Sequence, residues 1–144
     1  MNSVATDIAN LLQDLGIGNL GLGSIIPAAG TGIFIGEEPP EPSEAITLYG
    51  YGGTAEDGLG CESLDNFRLQ VRCRARTYEA SWKLIQKVEA SINRLKTHEV
   101  VDGPDTIFYI DIYRLQPPYE LGYDEKHRFV FTQNYAGLRQ KVTP

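Results

Sequence analysis

The sequence predicts an α+β fold: a single domain in which a mostly antiparallel sheet carries two packed helices. Two amphipathic helical segments and several β-rich segments follow one another in the 144 residues without a repeating strand–helix unit. A chain of this length buries one sizeable core, and its 42% hydrophobic and 22% charged residues are typical of globular proteins. Within residues 1–144 we expect a helix at 3–15, a Gly-rich connector at 16–31, a core at 32–139 and a short C-terminal tail.

The first predicted helix covers residues 3–15. Ser3 suits its N-cap, and Gly16 suits the position after its last turn. Its apolar residues form one stripe at helical spacing: Val4, Ile8, Leu11, Leu12 and Leu15. The segment GIGNLG at 16–21 has the G-x-G-x-x-G pattern of dinucleotide-binding proteins, but that pattern requires a preceding strand and a following helix. Because it follows a helix here, we interpret it as a helix stop and reject nucleotide binding.

The remaining segments supply the sheet and the second helix. Strands are predicted at 32–35, 45–51, 67–75, 106–116 and 127–135. Leu48 and Ile110 are expected to face the core, and a long acidic loop is expected at 52–65. The main helix is predicted at 78–95 with Thr77 as its N-cap. Its apolar face comprises Trp82, Ile85, Val88, Ile92 and Leu95.

The residue content argues against an enzyme, a cofactor site and a metal site. His98 and His127 are the only histidines, and a three-ligand transition-metal site would need further acidic ligands that the sequence does not place. No serine or cysteine pairs with a histidine base in a recognised local pattern. Cys73 is expected to be a small buried hydrophobe, whereas Cys61 lies in a Gly-rich loop.

The N-terminal residues MNSVATDIAN lack the basic and apolar regions of a secretory signal. The charge-free run at 15–36 contains seven glycines and Pro27, so it is a poor membrane span. We therefore expect a soluble protein made in a cytoplasm.

Charge is distributed unevenly along the chain. Residues 1–65 contain ten acids and no Lys or Arg, whereas residues 66–144 contain nine acids and thirteen bases. The segment EEPPEPSE at 37–44 is acidic and spaced by prolines, so it should be extended and exposed. Such asymmetry bears on partners and solubility more than on fold.

The strand FRLQVRCRAR at 67–76 carries four arginines on one side: Arg68, Arg72, Arg74 and Arg76. The planar guanidinium binds carboxylates at two points. We therefore expect these arginines to meet acidic N-terminal segments, within one chain or between neighbouring chains, and the candidate partners are Glu37, Glu38, Glu41 and Glu44. Two alternatives remain. The charges are simply solvated, or the face binds nucleic acid, although no aromatic residue interleaves with the arginines.

Three blocks of the sequence together resemble the minor capsid or tail terminator (tail completion) proteins of bacteriophages. The first is EPPEPSEAITLYGYGG at 38–53, a proline-spaced lead into a strand and a Tyr/Gly-Gly turn. The second is LQVRCRARTYEASWKLIQKV at 69–88, an arginine strand followed by the main helix. The third is QPPYELGYDEKHRFVFTQNY at 116–135, a closing block of alternating aromatics. The resemblance covers residues 33–139 and leaves the connector at 16–31 outside.

The resemblance implies a non-enzymatic virion protein at the head–tail junction, made in the cytoplasm of a bacterial host. Proteins of that family form a hexameric ring that caps the tail tube and docks to the head connector, so the implied partners are further copies of the chain, the tail tube protein and a connector or stopper protein. A stopper that seals the DNA-filled head is the alternative neck protein. DNA would pass the ring without specific binding, and acidic walls would let it slide. The candidate lumen residues are Glu56, Asp57, Glu62 and Asp65.

Overall fold

The computed structural model describes residues 1–21, 30–56 and 64–142, in which two helices and eight strands form one α+β domain. Helix α1 spans Val4–Asp14 and helix α2 spans Tyr78–Ile92. The strands are β1 (Asn19–Leu20), β2 (Gly32–Ile35), β3 (Ala45–Glu56), β4 (Leu64–Ala75), β5 (His98–Asp102), β6 (Asp105–Arg114), β7 (Tyr119–Tyr123) and β8 (Phe129–Val142). The predicted fold class is confirmed.

The strands form one sheet in the order β1-β2-β3-β4-β8-β6-β5. Strands β1, β2 and β3 run parallel to one another, and every other pair is antiparallel. Strand β8 is the longest, and it pairs along one edge with β4. The first part of its other edge, Phe129–Thr132, pairs with β7, and the later part, Tyr135–Val142, pairs with β6. Strands β6 and β7 are separated by a short segment containing Pro117 and Pro118. Because proline has no backbone N–H, the ladder is interrupted there.

Both helices pack on the same face of the sheet and close a single core. Helix α1 contributes Ile8 and Leu12, and helix α2 contributes Ile85 and Val88, all fully buried. Along β4 the odd-numbered residues from Phe67 to Ala75 face this core. The predicted alternation is therefore confirmed, and Cys73 is the buried hydrophobe that the sequence predicted. Neither helix in the described part of the chain has the length and apolarity needed to span a bilayer.

The helix predictions hold at their starts. Ser3 and Thr77 accept backbone N–H groups as N-caps, as predicted, and Gly16 takes the left-handed conformation (φ +75°) that ends α1. Helix α2 ends at Ile92, three residues before the predicted end. There the backbone turns away and joins the edge of β6, with the Arg94 N–H donating to the Ile112 carbonyl oxygen at 2.6 Å.

The sheet predictions were less complete. Strands β1, β5 and β7 were not predicted, and β8 continues to Val142, into the expected tail. The acidic loop expected at 52–65 was too long, because residues 52–56 belong to β3 and 64–65 to β4. The intervening residues 57–63, which include Cys61, lie outside the described part of the chain.

Among the described residues three β-bulges interrupt the sheet, and each exposes a large apolar side chain. The register shifts fall between Gly50 and Gly53, between Tyr109 and Asp111, and between Glu120 and Gly122. The side chains at these sites are Tyr51, Ile110 and Leu121, each at least 40% exposed. The expectation that Ile110 faces the core is therefore wrong, because the extra residue of a bulge reverses the alternation of the strand beyond it. Leu48 is fully buried, as predicted.

Candidate functional site

The acidic segment EEPPEPSE, residues 37–44, joins β2 to β3 and is here named the acidic strap. It lies on the sheet face opposite the two helices. Arg72 and Arg74 reach it there, because they alternate along β4 with core residues such as Val71 and Cys73. The strap follows Gly36, which takes a left-handed conformation (φ +74°) at the end of β2.

Arg74 is the centre of the contact between sheet and strap. Its side chain is 4% exposed, and its Nη1 lies 3.2 Å from Oε1 of Glu38. Its Nη2 donates to the carbonyl oxygens of Pro39 at 2.9 Å and Pro42 at 2.6 Å, and its Nε donates to that of Ser43 at 3.3 Å. Burial lowers the pKa of Arg74, while Glu38 opposes this change. The guanidinium stays charged, and it satisfies backbone oxygens that the prolines of the strap leave without local partners.

Three further cations hold the strap. The Nε of Arg72 lies 2.8 Å from the second carboxylate oxygen of Glu38, so this one acid bridges two arginines of the strand. From the turn between β7 and β8, Arg128 donates to the Pro40 carbonyl oxygen, and Lys126 Nζ lies 3.1 Å from Glu41 Oε1. The strap is thus fastened to β4 on one side and to the β7–β8 turn on the other.

Asp124 orders that turn. Its Oδ1 accepts the backbone N–H groups of Lys126 and Arg128, both at 2.9 Å, and its Oδ2 lies 2.8 Å from the Arg128 guanidinium. Burial alone would raise the pKa of Asp124, but the hydrogen bonds from the side chain and backbone of Arg128 and from the backbone of Lys126 outweigh it and hold the pKa at about 2. Asp124 therefore presents Arg128 to the strap as a fixed cation.

The predicted site residues divide into two groups. Glu38, Glu41, Arg72 and Arg74 form ion pairs within the chain. Arg68 donates to the carbonyl oxygen of its neighbour Phe67, and Arg76 lies exposed beyond the end of β4. Glu37 and Glu44 are exposed and form no ion pair among the described residues.

The candidate lumen acids are only partly described. Asp65 lies in β4, with its Oδ2 3.6 Å from Nε of Arg139. Glu56 is the last residue of β3, and Asp57 and Glu62 lie outside the described residues.

The ion pairs of the strap bear on the nucleic-acid alternative. Glu38 neutralises two of the four arginines, and Arg76 is not on the strand. The arginine row therefore does not present the continuous basic face along which a nucleic-acid backbone would lie.

Two features of the site were not predicted. Arg128 was not predicted, because YDEKHR balances its own charge locally and gives no sign of a contact 88 residues away. The buried carboxylate of Asp7, on the helix side of the sheet, was not predicted either. It accepts a hydrogen bond from the Tyr109 hydroxyl and has Arg139 at 3.9 Å. Burial, with the hydrogen bond to Asp7, raises the pKa of Tyr109, so its hydroxyl remains a donor. The signal for this contact in the sequence is an acid within the apolar stripe of α1.

The side chains of the site make structural contacts with one another and with the backbone of the strap. Within the described residues no group of three or more His, Cys, Asp or Glu side chains is arranged to hold a metal ion. Burial raises the pKa of the Cys73 thiol, which makes this cysteine a poor nucleophile.

Comparison with known proteins gives the family. No curated protein sequence matches the chain. Residues 11–137 match the model of a family described as bacteriophage tail terminator protein. The match includes the acidic strap, the arginine strand and the β7–β8 turn, and it confirms the resemblance seen in the three sequence blocks. The family is structural, which agrees with the expectation that the chain is not an enzyme. The chain belongs to the bacteriophage tail terminator family and is a structural, tail-related protein of the virion.

Proposed function

We propose that the chain forms a ring at the head–tail junction, which terminates the tail tube and docks to the head connector. The family match over residues 11–137 carries this proposal. The ring is a hexamer by resemblance to the family, and its partners are the tail tube protein on one side and a connector or stopper protein on the other.

The charge distribution supports a ring of subunits joined head to tail. A ring arises when one surface of a subunit binds a different surface of the next and the rotation closes. The first 65 residues contain acidic side chains and no Lys or Arg, and the rest of the chain has more basic than acidic side chains. Opposite charges on different surfaces favour such contacts and disfavour contact between identical surfaces.

The contacts of the strap reduce the number of residues that are candidates for the interface between subunits. Glu38, Glu41, Arg72 and Arg74 already hold the strap within one chain. Arg68, Arg76, Glu37 and Glu44 remain for contacts with a neighbouring subunit. Reversing the charges of Arg72 and Arg74 would therefore disturb the fold of the strap together with any interface.

The acids of the β3–β4 region give the proposed lumen a surface that does not hold DNA. Phosphate contacts from Lys and Arg bind DNA through counterion release. Glu56, Asp57, Glu62 and Asp65 offer no such contact, so DNA would pass along them without being retained. We assign these residues to the lumen or to an axial loop as part of the proposal.

Electron microscopy of particles made without the gene tests the proposal. We expect overlong tails without heads beside DNA-filled heads, because nothing then stops tube growth or joins the tail to the head. Tails of normal length with empty or leaking heads would instead indicate a head-completion protein. Fully normal virions would contradict a role in the particle and would favour a binding module outside it.

A further inference from the structure

A groove of about 250 Å³ lies between α1 and β5. Its polar lining includes three carboxylates: Asp7 and Asp14 from α1 and Glu99 from β5. Its apolar lining includes Leu11, Val100 and Val101. Asp7 is 2% exposed, whereas Asp14 and Glu99 are exposed at the rim. The groove therefore has a buried acid at its base and an exposed acid on each side.

The buried acid is incompletely satisfied. Asp7 Oδ2 accepts from the Tyr109 hydroxyl, but Asp7 Oδ1 has no hydrogen-bond partner although it is buried. A buried acceptor without a donor destabilises the fold, so a donor that enters the groove would gain this interaction. Asp7 Oδ2 also has Arg139 Nη1 at 3.9 Å, whereas Asp14 and Glu99 form no ion pair among the described residues.

The lining fits the side chain of a lysine or arginine. Such a side chain packs its methylene stem on apolar surface and keeps its charged head among polar groups. Leu11, Val100 and Val101 offer the apolar wall, and the three carboxylates offer the acceptors. The described acids do not form a cluster suited to a metal ion, which favours a side-chain cation over a metal.

Helix α2 carries two lysines suited to this groove. Lys83 and Lys87 are exposed, lie one turn apart on one side of the helix, and have no ion pair among the described residues. Residues at this spacing have their Cβ atoms about 6 Å apart. Two ammonium groups so placed match a groove that has an acid on each rim.

We propose that Lys83 and Lys87 of one copy of the chain bind the α1–β5 groove of the next copy. The proposal rests on the proposed ring and assigns part of the interface that repeats between neighbouring subunits. The groove and the α2 lysines are different surfaces, so the contact is head to tail. Val101, which lines the groove and is 71% exposed, gives the contact an apolar component.

Charge exchange between the two surfaces tests the proposal. One variant carries Asp14→Lys and Glu99→Lys, a second carries Lys83→Glu and Lys87→Glu, and a third carries all four changes. Self-association of the full chain is measured by sedimentation velocity and native mass spectrometry. Each double variant should associate roughly a hundredfold more weakly or worse, because like charges then face each other. The fourfold variant should regain ring formation, because opposite charges meet again with their signs exchanged.

A matched control carries Glu120→Lys and Glu125→Lys, the same change of net charge on β7 and its turn. It should associate like the wild type, and all variants should keep the wild-type melting temperature because the changed residues are exposed. Wild-type association in both double variants, or no recovery in the fourfold variant, would overturn the inference. So would a groove variant that forms rings but no longer joins tails, because the groove would then bind another protein.

These outcomes separate the inference from the proposed function. If the wild type forms rings and the charge exchanges have no effect, the inference fails and the proposed function stands. If the wild-type chain stays monomeric even when tail tubes are present, and particles made without the gene have normal tails, the proposed function itself fails.

Discussion

The two faces of the sheet are covered in different ways. The helix face is covered by apolar side chains, and residues such as Ile8, Leu69 and Ile85 are fully buried there. The opposite face is covered in part by the acidic strap, which is held by guanidinium groups on carboxylates and backbone oxygens. Apolar packing distributes its energy over many contacts, whereas the strap depends on a few charged residues. On the helix face, stability should therefore fall when a substitution introduces a charge or an extra group into the packing. On the strap face, stability should fall when a single cation is removed.

The largest expected effect is a charge placed in the helix-face core. Leu48→Asp should lower the free energy of unfolding by roughly 5 kcal/mol or more, because an unpaired carboxylate would be buried. Ile110→Asp is the control, since this bulge residue is 40% exposed, and it should change stability by about 0.5 kcal/mol. Urea denaturation measures both. Equal losses would show that the bulge does not turn Ile110 outward.

The next largest effect is expected when the strap loses Arg74, the residue that holds it to β4. Arg74→Ala should cost about 3 kcal/mol, because several carbonyl oxygens of the strap lose their buried donor and Glu38 keeps only Arg72 as a partner. Arg76→Ala removes an exposed guanidinium two residues away and should cost about 0.5 kcal/mol or less. Urea denaturation should show a clear loss of stability only in the first variant. Equal stability of the two variants would mean that the strap does not depend on Arg74, and the two faces would then not differ in the way described above.

A smaller effect tests the shape of the helix face. Gly137 of β8 leaves no room for a side chain, because an added Cβ would overlap the Phe67 ring and lie 2.5 Å from the Asp111 carbonyl oxygen. Gly137→Ala should cost about 1–3 kcal/mol, as is typical of overpacking. Gly50→Ala is the control, because nothing lies within 4 Å of its added Cβ. Thermal unfolding of the two variants should separate them by several degrees, and identical melting curves would contradict close packing at Gly137.

The smallest effect concerns acid pH and the turn that holds the strap. The pKa of Asp124 is lowered from 3.8 to about 2 in the folded chain. The ionised group therefore stabilises the fold above about pH 4, and this contribution is lost as the pH falls from about 4 to 2. Since the group is partly exposed, the contribution should be on the order of 1 kcal/mol. Asp124→Asn should lose it at neutral pH and approach the wild type near pH 2.

Unfolding curves at a series of pH values measure this difference. Glu125→Gln, an exposed neighbour without an ion pair among the described residues, is the control and should follow the wild type. A difference between Asp124→Asn and wild type that stays constant with pH would mean that the carboxylate acts through its shape and not through its charge.

The contrast between the faces also explains what could be predicted from the sequence. The alternation along β4 and the buried residues Val4, Ile8 and Leu12 of the α1 stripe follow from the periods of strand and helix, so these were predicted correctly, whereas Leu15 lies beyond the helix and is 55% exposed. The backbone oxygens that Arg74 binds lie 31 to 35 residues away in the chain, and no local pattern encodes such a contact. Strand β7 was missed because it is exposed on both sides and follows two prolines. Ile110 was misplaced because the bulge puts it and the buried Ile112, two residues further on, on opposite sides of the strand.

Tail termination by the purified chain tests the central claim most directly. The chain is added to tail tube protein that is polymerising, and tube length is measured by electron microscopy with the chain labelled. We expect elongation to stop, mean tube length to fall as the ratio of chain to tube protein rises, and the label to lie at one end of each tube. Tubes that grow to the same length with and without the chain, and carry no label at their ends, would contradict the account.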